Sequence, residues 1–212
     1  MVLSLSPVLR HKLSLVGALI FDLDGTLVHT HEAHERSWRR AFAGVGLHMS
    51  GSWYHERTGL TADQLVNEMG RNYKTRLNAA SIKAAELAYF LEETPALVPF
   101  APVFSIAKEF GDTCHMAVAS NGDGKTVQAT LAGAGISDMF SVIVTADEVQ
   151  RPKPFPDLFL LAAKGMDVEP GECLAFEDSD SGLDAARAAG MSVVDVRTWE
   201  LRDACGCVVE AE

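Results

Sequence analysis

The chain is poor in cysteine, in basic charge and in long apolar runs. Four cysteines occur in 212 residues, and no C-x-x-C pair is among them. A disulfide framework or a paired-thiol zinc site is therefore not the organising principle, and this usage suits a reducing compartment. Cys114 and Cys173 lie in apolar runs and read as small core residues. Cys205-Gly-Cys207 reads as a terminal pair of incidental thiols, with metal binding or oxidation as the alternative. Lysine and arginine number 18 against 29 acidic residues, for a net charge of −11. That balance speaks against a general nucleic-acid binder, whose affinity rests on basic patches. No apolar run reaches the roughly 18–20 residues of a membrane span. Residues 1–17 are mildly apolar and interrupted by Pro7 and Arg10-His11-Lys12, which does not fit a signal peptide. They are expected to form a short arm ahead of the first strand. A cytoplasmic, monomeric protein without membrane or nucleic-acid partners is expected.

What is present is an ordinary globular balance, 48% hydrophobic and 22% charged. Two textures divide it. Residues 30–94 are helical in pattern, with no good strand. Ala33, Ser37/Trp38, Ala41 and Val45 share one helix face over 31–45. Thr61 with Gln64 makes a capping box that opens a helix to about residue 70. Residues 81–93 form an Ala-rich helix with Leu87, Phe90 and Leu91 on one face. From Pro102 onward, helices (103–110, 125–133, 157–165, 179–189) alternate with strands (114–119, 140–145, 173–176, 192–196). Such alternation implies an α/β fold, a doubly wound Rossmann-like parallel sheet covered on both faces. The first strand, within Ala18-Leu19-Ile20-Phe21-Asp22, belongs to that sheet. The helical segment is thus an insertion, with hinges expected at 25–30 and 94–102.

Polar residues gather where the strands end. Asp22-Leu23-Asp24-Gly25-Thr26 closes the first strand, and Ser120-Asn121 the second. Lys153-Pro154 lies shortly after the third, and Glu177-Asp178-Ser179 follows the fourth. Each group alone is an ordinary turn or cap. Together they line the carboxyl edge of a parallel sheet, where open α/β folds bind ligands. Leu23, between the two acids, is expected to point into the core.

In order and spacing these four groups resemble the motifs of the haloacid dehalogenase superfamily, in the branch with a helical cap inserted after the first motif. Within it the chain is similar to the β-phosphoglucomutase-like group. The run from Phe176 to Arg197 looks closest to bacterial phosphatases of fructose 1-phosphate and 6-phosphogluconate. The resemblance implies a core over 1–29 and 96–212, with a cap over 30–95. It also implies Asp22 as nucleophile on phosphorus, forming an aspartyl-phosphate, and Asp24 as general acid and base. A carboxylate that approaches a phosphate dianion meets about 4 kcal/mol of repulsion per unit pair at an effective dielectric of ~20, so cations are required. Lys153 would supply one and Mg²⁺ the other. The ion's ligands would be the Asp22 and Asp178 carboxylates and the Asp24 carbonyl, with Glu177 direct or through water. Ser120, Asn121, Lys153 and Gly25 would hold the phosphoryl group.

Asp24 also argues against carbon–halogen cleavage, since halide leaves without a proton. Substrate choice is assigned to the cap: His34 by its hinge position, and Gly59, Leu60 and Thr61 as the substrate loop. Thr26 and Lys125 are added as core-side contacts. His34 could equally be one more polar residue on an exposed face, and Thr26 simply a turn cap. Two departures stand out. Ala62 replaces an arginine found just after the loop in β-phosphoglucomutase, which weakens a mutase reading. His29 stands where the family usually carries an acid. Trp38 and Trp53 read as cap core. The expected function is a Mg²⁺-dependent phosphatase of small phosphorylated sugars or related metabolites. The alternatives are a hexose-phosphate mutase and a non-catalytic binding protein on the same fold.

Overall fold

The computed structural model describes residues 7–198; Cys205 and Cys207 lie outside them. Helix α1 (Pro7–Leu13) precedes strand β1 (Ala18–Phe21). Helices α2 (His31–Ala43), α3 (Gly51–His55), α4 (Ala62–Asn72) and α5 (Ala79–Glu93) follow. The remainder alternates: α6 (Ala101–Phe110), β2 (His115–Ala119), α7 (Gly124–Gly133), β3 (Val142–Val144), α8 (Asp157–Gly165), β4 (Cys173–Glu177), α9 (Asp180–Ala188) and β5 (Ser192–Asp195).

The five strands form one parallel sheet in the order β3-β2-β1-β4-β5. Every residue of β1 is fully buried, because helices cover both faces of this central strand. One face packs Leu19 and Phe21 beneath α1 and α6, and the other packs Ala18 and Ile20 against α8. Phe21 stacks on Phe176 of β4 at 5.0 Å between ring centroids, and burying a side chain of this kind contributes about 1.5–3 kcal/mol. The chain leaves β1 toward β2 and β3, then returns across the sheet to β4. The gap between the ends of β1 and β4 is therefore the switch point, where such sheets bind ligands.

Helices α2 to α5 pack around their own cluster, which includes Trp38, Phe42, Tyr54 and Met69. Their two connections to the core run side by side. His29 N–H donates to Val98 O at 3.1 Å, Phe100 N–H donates to Leu27 O at 2.8 Å, and Val28 bridges Pro99. His29, unexplained by the sequence, sets its ring edge-on to Phe100 at 4.9 Å.

Three expectations need correction. The segment expected as an arm contains α1, whose Leu9 and Leu13 are buried in the main core. Val45 is 48% exposed, because α2 stops at Ala43 and Gly46 turns the chain with φ +76°. On α5 the buried stripe is Ile82, Glu86 and Phe90, and Leu91 faces solvent. An Ala-rich helix has no dominant apolar stripe, so packing against α2 chose the face. The Thr61 capping box forms as read, with both reciprocal hydrogen bonds present.

Candidate active site

The turn after β1 sets the two aspartates. Asp22 N–H donates to Phe176 O at 3.0 Å, which extends the sheet register by one residue. The N–H groups of Leu27 and Val28 both converge on Leu23 O at 3.0 Å. Leu23 is fully buried in the core, so Asp22 and Asp24 emerge on either side of it. Gly25 adopts φ +86°, and a Cβ there would lie 2.2 Å from Asp178 Oδ2. A side chain at this position would push the two acidic loops apart.

Lys153 stands behind Asp22. Its Nζ donates to Asp22 Oδ1 at 2.6 Å and also to Glu177 Oε1, and the residue is 3% exposed. Burial alone would depress its pKa, but the two carboxylates outweigh burial and raise it. Glu177 is fully buried. Its Oε2 accepts from Asp178 N–H at 3.1 Å, Ser179 N–H at 3.2 Å and Ser179 Oγ–H at 3.0 Å. Gly182, in the first turn of α9, leaves room for this carboxylate: a Cβ there would stand 1.9 Å from it.

The Asp22 carboxyl is pushed well above the usual carboxylate range. Burial is the largest cause; Lys153 opposes it, and Glu177, Asp178 and Asp24 add repulsion. One ammonium does not neutralise this cluster. Ligand oxygens of Asp22, Glu177 and Asp178 lie within 4.8 Å of one another. An all-oxygen set with this electrostatic deficit fits a hard divalent cation.

A histidine that the sequence did not single out joins the cluster. His31, the first residue of α2, places Nε2 3.2 Å from Asp178 Oδ2 and 3.3 Å from Asp24 O. The hydrogen bond with Asp178 raises its pKa, and burial opposes the shift. The available signal was three histidines (29, 31, 34) on the segment that leaves the Asp22–Gly25 turn.

Asp24 faces the inserted helices. Its Oδ1 lies 3.3 Å from His34 Nε2, and His34 Nδ1 lies 3.2 Å from Glu86 Oε1. Ser37 Oγ–H donates to the same Glu86 oxygen at 2.7 Å, and the His34 ring stacks on Phe90 at 4.1 Å. Burial would depress the His34 pKa, but its bonds with Asp24 and Glu86 raise it to about 10. Burial would raise Asp24, and the His34 hydrogen bond and charge hold it below its ordinary value instead. Glu86 had no signal in the sequence, since it lies among alanines on a helix whose buried face was not legible.

The remaining expected residues divide. Ser120 is buried, and its Oγ accepts from Gly122 N–H at 2.9 Å, leaving the hydroxyl hydrogen to donate. The Asn121 side chain makes structural bonds. Its Nδ2 donates to Gly59 O at 2.7 Å and to Lys153 O at 3.3 Å, and its Oδ1 accepts from Lys153 N–H at 2.9 Å. The Gly25 N–H is engaged with Val28 O at 2.9 Å, so neighbouring N–H groups of the turn are the ones left for a phosphoryl oxygen. Thr26 is fully buried. Thr61 is engaged in capping α4, and Lys125 is exposed. None of these three lines the cavity over Asp22. Gly59, Leu60 and His34 do line it, together with Trp38, Tyr54, Arg57 and Ala62. The cavity holds about 100 Å³, below the ~300 Å³ of typical ligand pockets. The inserted helices are therefore closed down on the site.

A sequence model described as haloacid dehalogenase-like hydrolase matches residues 16–190. Fructose-1-phosphate phosphatase YqaB of Escherichia coli K12 is 35% identical over 188 residues, covering 85% of this chain and 96% of that protein. A crystal structure of a CbbY mutant from Rhodobacter sphaeroides, in complex with xylulose-(1,5)bisphosphate, superposes with a TM-score of 0.78. It is 28% identical and covers 84% of each chain. β-Phosphoglucomutase from Clostridium difficile shares the fold, with a TM-score of 0.76, 24% identity and coverage of 85% of this chain and 84% of its own.

Proposed function

The chain belongs to the haloacid dehalogenase-like hydrolase family, and from that premise we propose that it is a phosphatase of small sugar phosphates working through an aspartyl-phosphate on Asp22. The observation that carries this reading is the buried Lys153 ammonium shared between Asp22 and Glu177. It supplies a fixed cation where a carboxylate must approach a phosphate. We place the core at 1–29 and 96–212 and the cap at 30–95. No helix among the described residues is long and apolar enough to cross a membrane. We read the protein as a cytoplasmic monomer.

An Asp22 oxygen attacks phosphorus, and the bond from phosphorus to the sugar oxygen breaks. Lys153 holds Asp22 and offers its charge to the phosphoryl oxygens. Ser120 Oγ–H and the backbone N–H of Asn121 bind the same oxygens. Asp24 gives a proton to the departing sugar oxygen. Water then attacks the aspartyl-phosphate, gives its proton to Asp24, and inorganic phosphate leaves Asp22. Asp24 rests ionised beside His34, which suits the second step; the negative charge of an arriving substrate raises its pKa for the first. Mg²⁺ held by Asp22, Asp178 and the Asp24 carbonyl would supply positive charge against the repulsion between carboxylate and phosphate. Glu177, saturated by Lys153 and the β4–α9 turn, acts as a positioning residue.

The names of the relatives support a sugar-phosphate substrate. Ala62 in the cavity wall offers no charge for a second phosphate, whereas Arg57 in the same wall does, so the preference for phosphatase over mutase rests on the names of the relatives. The small closed cavity implies that the cap opens to admit substrate. The test is phosphate release across a panel of about a hundred phosphorylated metabolites, with product chromatography. Free phosphate and dephosphorylated sugar are expected; isomerised sugar phosphate without free phosphate would overturn the reading.

A further inference from the structure

We propose that the Tyr54 hydroxyl reads the sugar: it donates a hydrogen bond to a hydroxyl on the substrate's carbon chain, so the enzyme selects polyol phosphates over their deoxy counterparts. The inference rests on the reading of the chain as a sugar-phosphate phosphatase, and it names a group that recognises the sugar.

Three observations converge on Tyr54. First, its hydroxyl is uncommitted. Tyr54 lies on α3, is 7% exposed and belongs to the hydrophobic cluster of the inserted helices. A buried tyrosine hydroxyl ordinarily finds a partner, because an unpaired one loses water without compensation. Among the described residues the Tyr54 hydroxyl has none. Nor is it sealed in: the fully enclosed, unpaired side-chain atoms among the described residues belong to Thr26, Thr30 and Arg57. Tyr54 lines the cavity over Asp22 and Asp24, and the hydroxyl opens there.

Second, its neighbours in the cap wall are apolar or engaged. Leu60, Ala62 and Leu65 offer no polar side chain. His34 is held by Asp24 and Glu86, and Glu86 by His34 and Ser37. Arg57 Nη1 donates to Trp53 O and Glu56, and its charge suits an anion. Tyr54 offers an uncharged donor. Third, the surroundings keep it a donor. Burial pushes its pKa up, and the Asp24, Glu86 and Glu35 carboxylates push the same way. Asp24 among them places the phenol on the side of the cavity where the departing sugar oxygen takes its proton. A rival reading, in which the ring only fills the cluster and the hydroxyl meets water, predicts no dependence on any one substrate hydroxyl.

Phosphate-release kinetics on the full chain separate the two, using the best sugar phosphate of the panel and its monodeoxy analogues. A site built to bond a substrate hydroxyl rejects the analogue that lacks it. In Tyr54→Phe, which keeps the ring, kcat/KM for the parent sugar phosphate is expected to fall about tenfold, equivalent to ~1.4 kcal/mol. One deoxy analogue is expected to lose the same factor with the native enzyme and nothing further in the variant. Equal turnover of all analogues by the native enzyme overturns the inference and leaves the phosphatase reading standing. So does an equal loss, or no loss, for every substrate in Tyr54→Phe. Absence of phosphate release from any substrate overturns both readings. If Tyr54→Phe does not fold, 3-fluorotyrosine in the native sequence takes its place. The more acidic phenol is expected to change kcat/KM for the parent and not for the matching analogue, and parallel changes overturn the inference.

Discussion

Lys153 Nζ donates a hydrogen bond to Asp22 Oδ1 at 2.6 Å across a sequence separation of 131 residues. The same ammonium bonds Glu177, so one buried cation joins the ends of β1 and β4 to the loop before α8. Removing one partner of a buried ion pair costs about 3–5 kcal/mol, because the other charge is left uncompensated. Lys153→Met is expected to lower the unfolding free energy by about that amount and to abolish turnover. Urea unfolding with parallel phosphate-release assays checks both. Full stability in Lys153→Met would contradict the shared-cation arrangement.

Asp24 is read as the proton carrier and Asp22 as the nucleophile, which predicts different failures. Asp24→Asn should retain the site and lose about 10²–10⁴-fold in kcat, the usual worth of general acid–base catalysis. Asp22→Asn should form no acyl-phosphate at all. Rapid quench with radiolabelled substrate distinguishes the two. A labelled phosphoenzyme in Asp22→Asn would remove Asp22 from its role.

The His34 pKa is raised from its ordinary 6.5 to about 10. A proton held more tightly in the folded state contributes its full stabilisation below the unfolded pKa, and the contribution disappears as pH rises through the folded pKa. Stability should therefore decline between about pH 6.5 and pH 10. In Glu86→Gln one of the raising partners is weakened, so the decline should end at lower pH and be smaller. Urea midpoints across this range and NMR of the His34 ring measure it. A native ring that titrates below neutrality would refute the arrangement.

Two glycines should respond in opposite ways to one methyl group. Gly182→Ala drives a Cβ to within 1.9 Å of the Glu177 carboxylate, which is fully buried and cannot yield. Loss of soluble protein or of activity is expected. Around Gly171 no atom lies within 4 Å of the same construction. Gly171→Ala should fold and be stabilised by about 0.4–1 kcal/mol through the unfolded chain. Thermal melts of both variants provide the comparison.

Metal removal should act on stability as well as activity. Chelator is expected to stop phosphate release, and a divalent ion at a hundred times its dissociation constant should restore it while adding about 2.7 kcal/mol. A melting temperature unmoved by any divalent ion would argue that Lys153 and His31 alone balance the acids.

The sequence alone determined the strands, most of the helices and the placement of acids, hydroxyl and lysine at strand ends. These are local matters: apolar runs closed by turn residues, and caps such as Thr61 with Gln64, report on a few neighbouring residues. Leu23 could be assigned to the core for the same reason. Tertiary structure decided what distant side chains do to one another. It engaged the Asn121 amide with Gly59 and Lys153, buried Thr26, left Lys125 in solvent and packed Leu9 and Leu13 under the sheet. It also brought His31 to Asp178 and, through His34, Glu86 to Asp24. The strand order and the packing of α2 on α5 set these approaches to within an ångström. No local pattern carries that information, because a hydrogen bond is made or lost over distances much smaller than the spacing of residues along the chain.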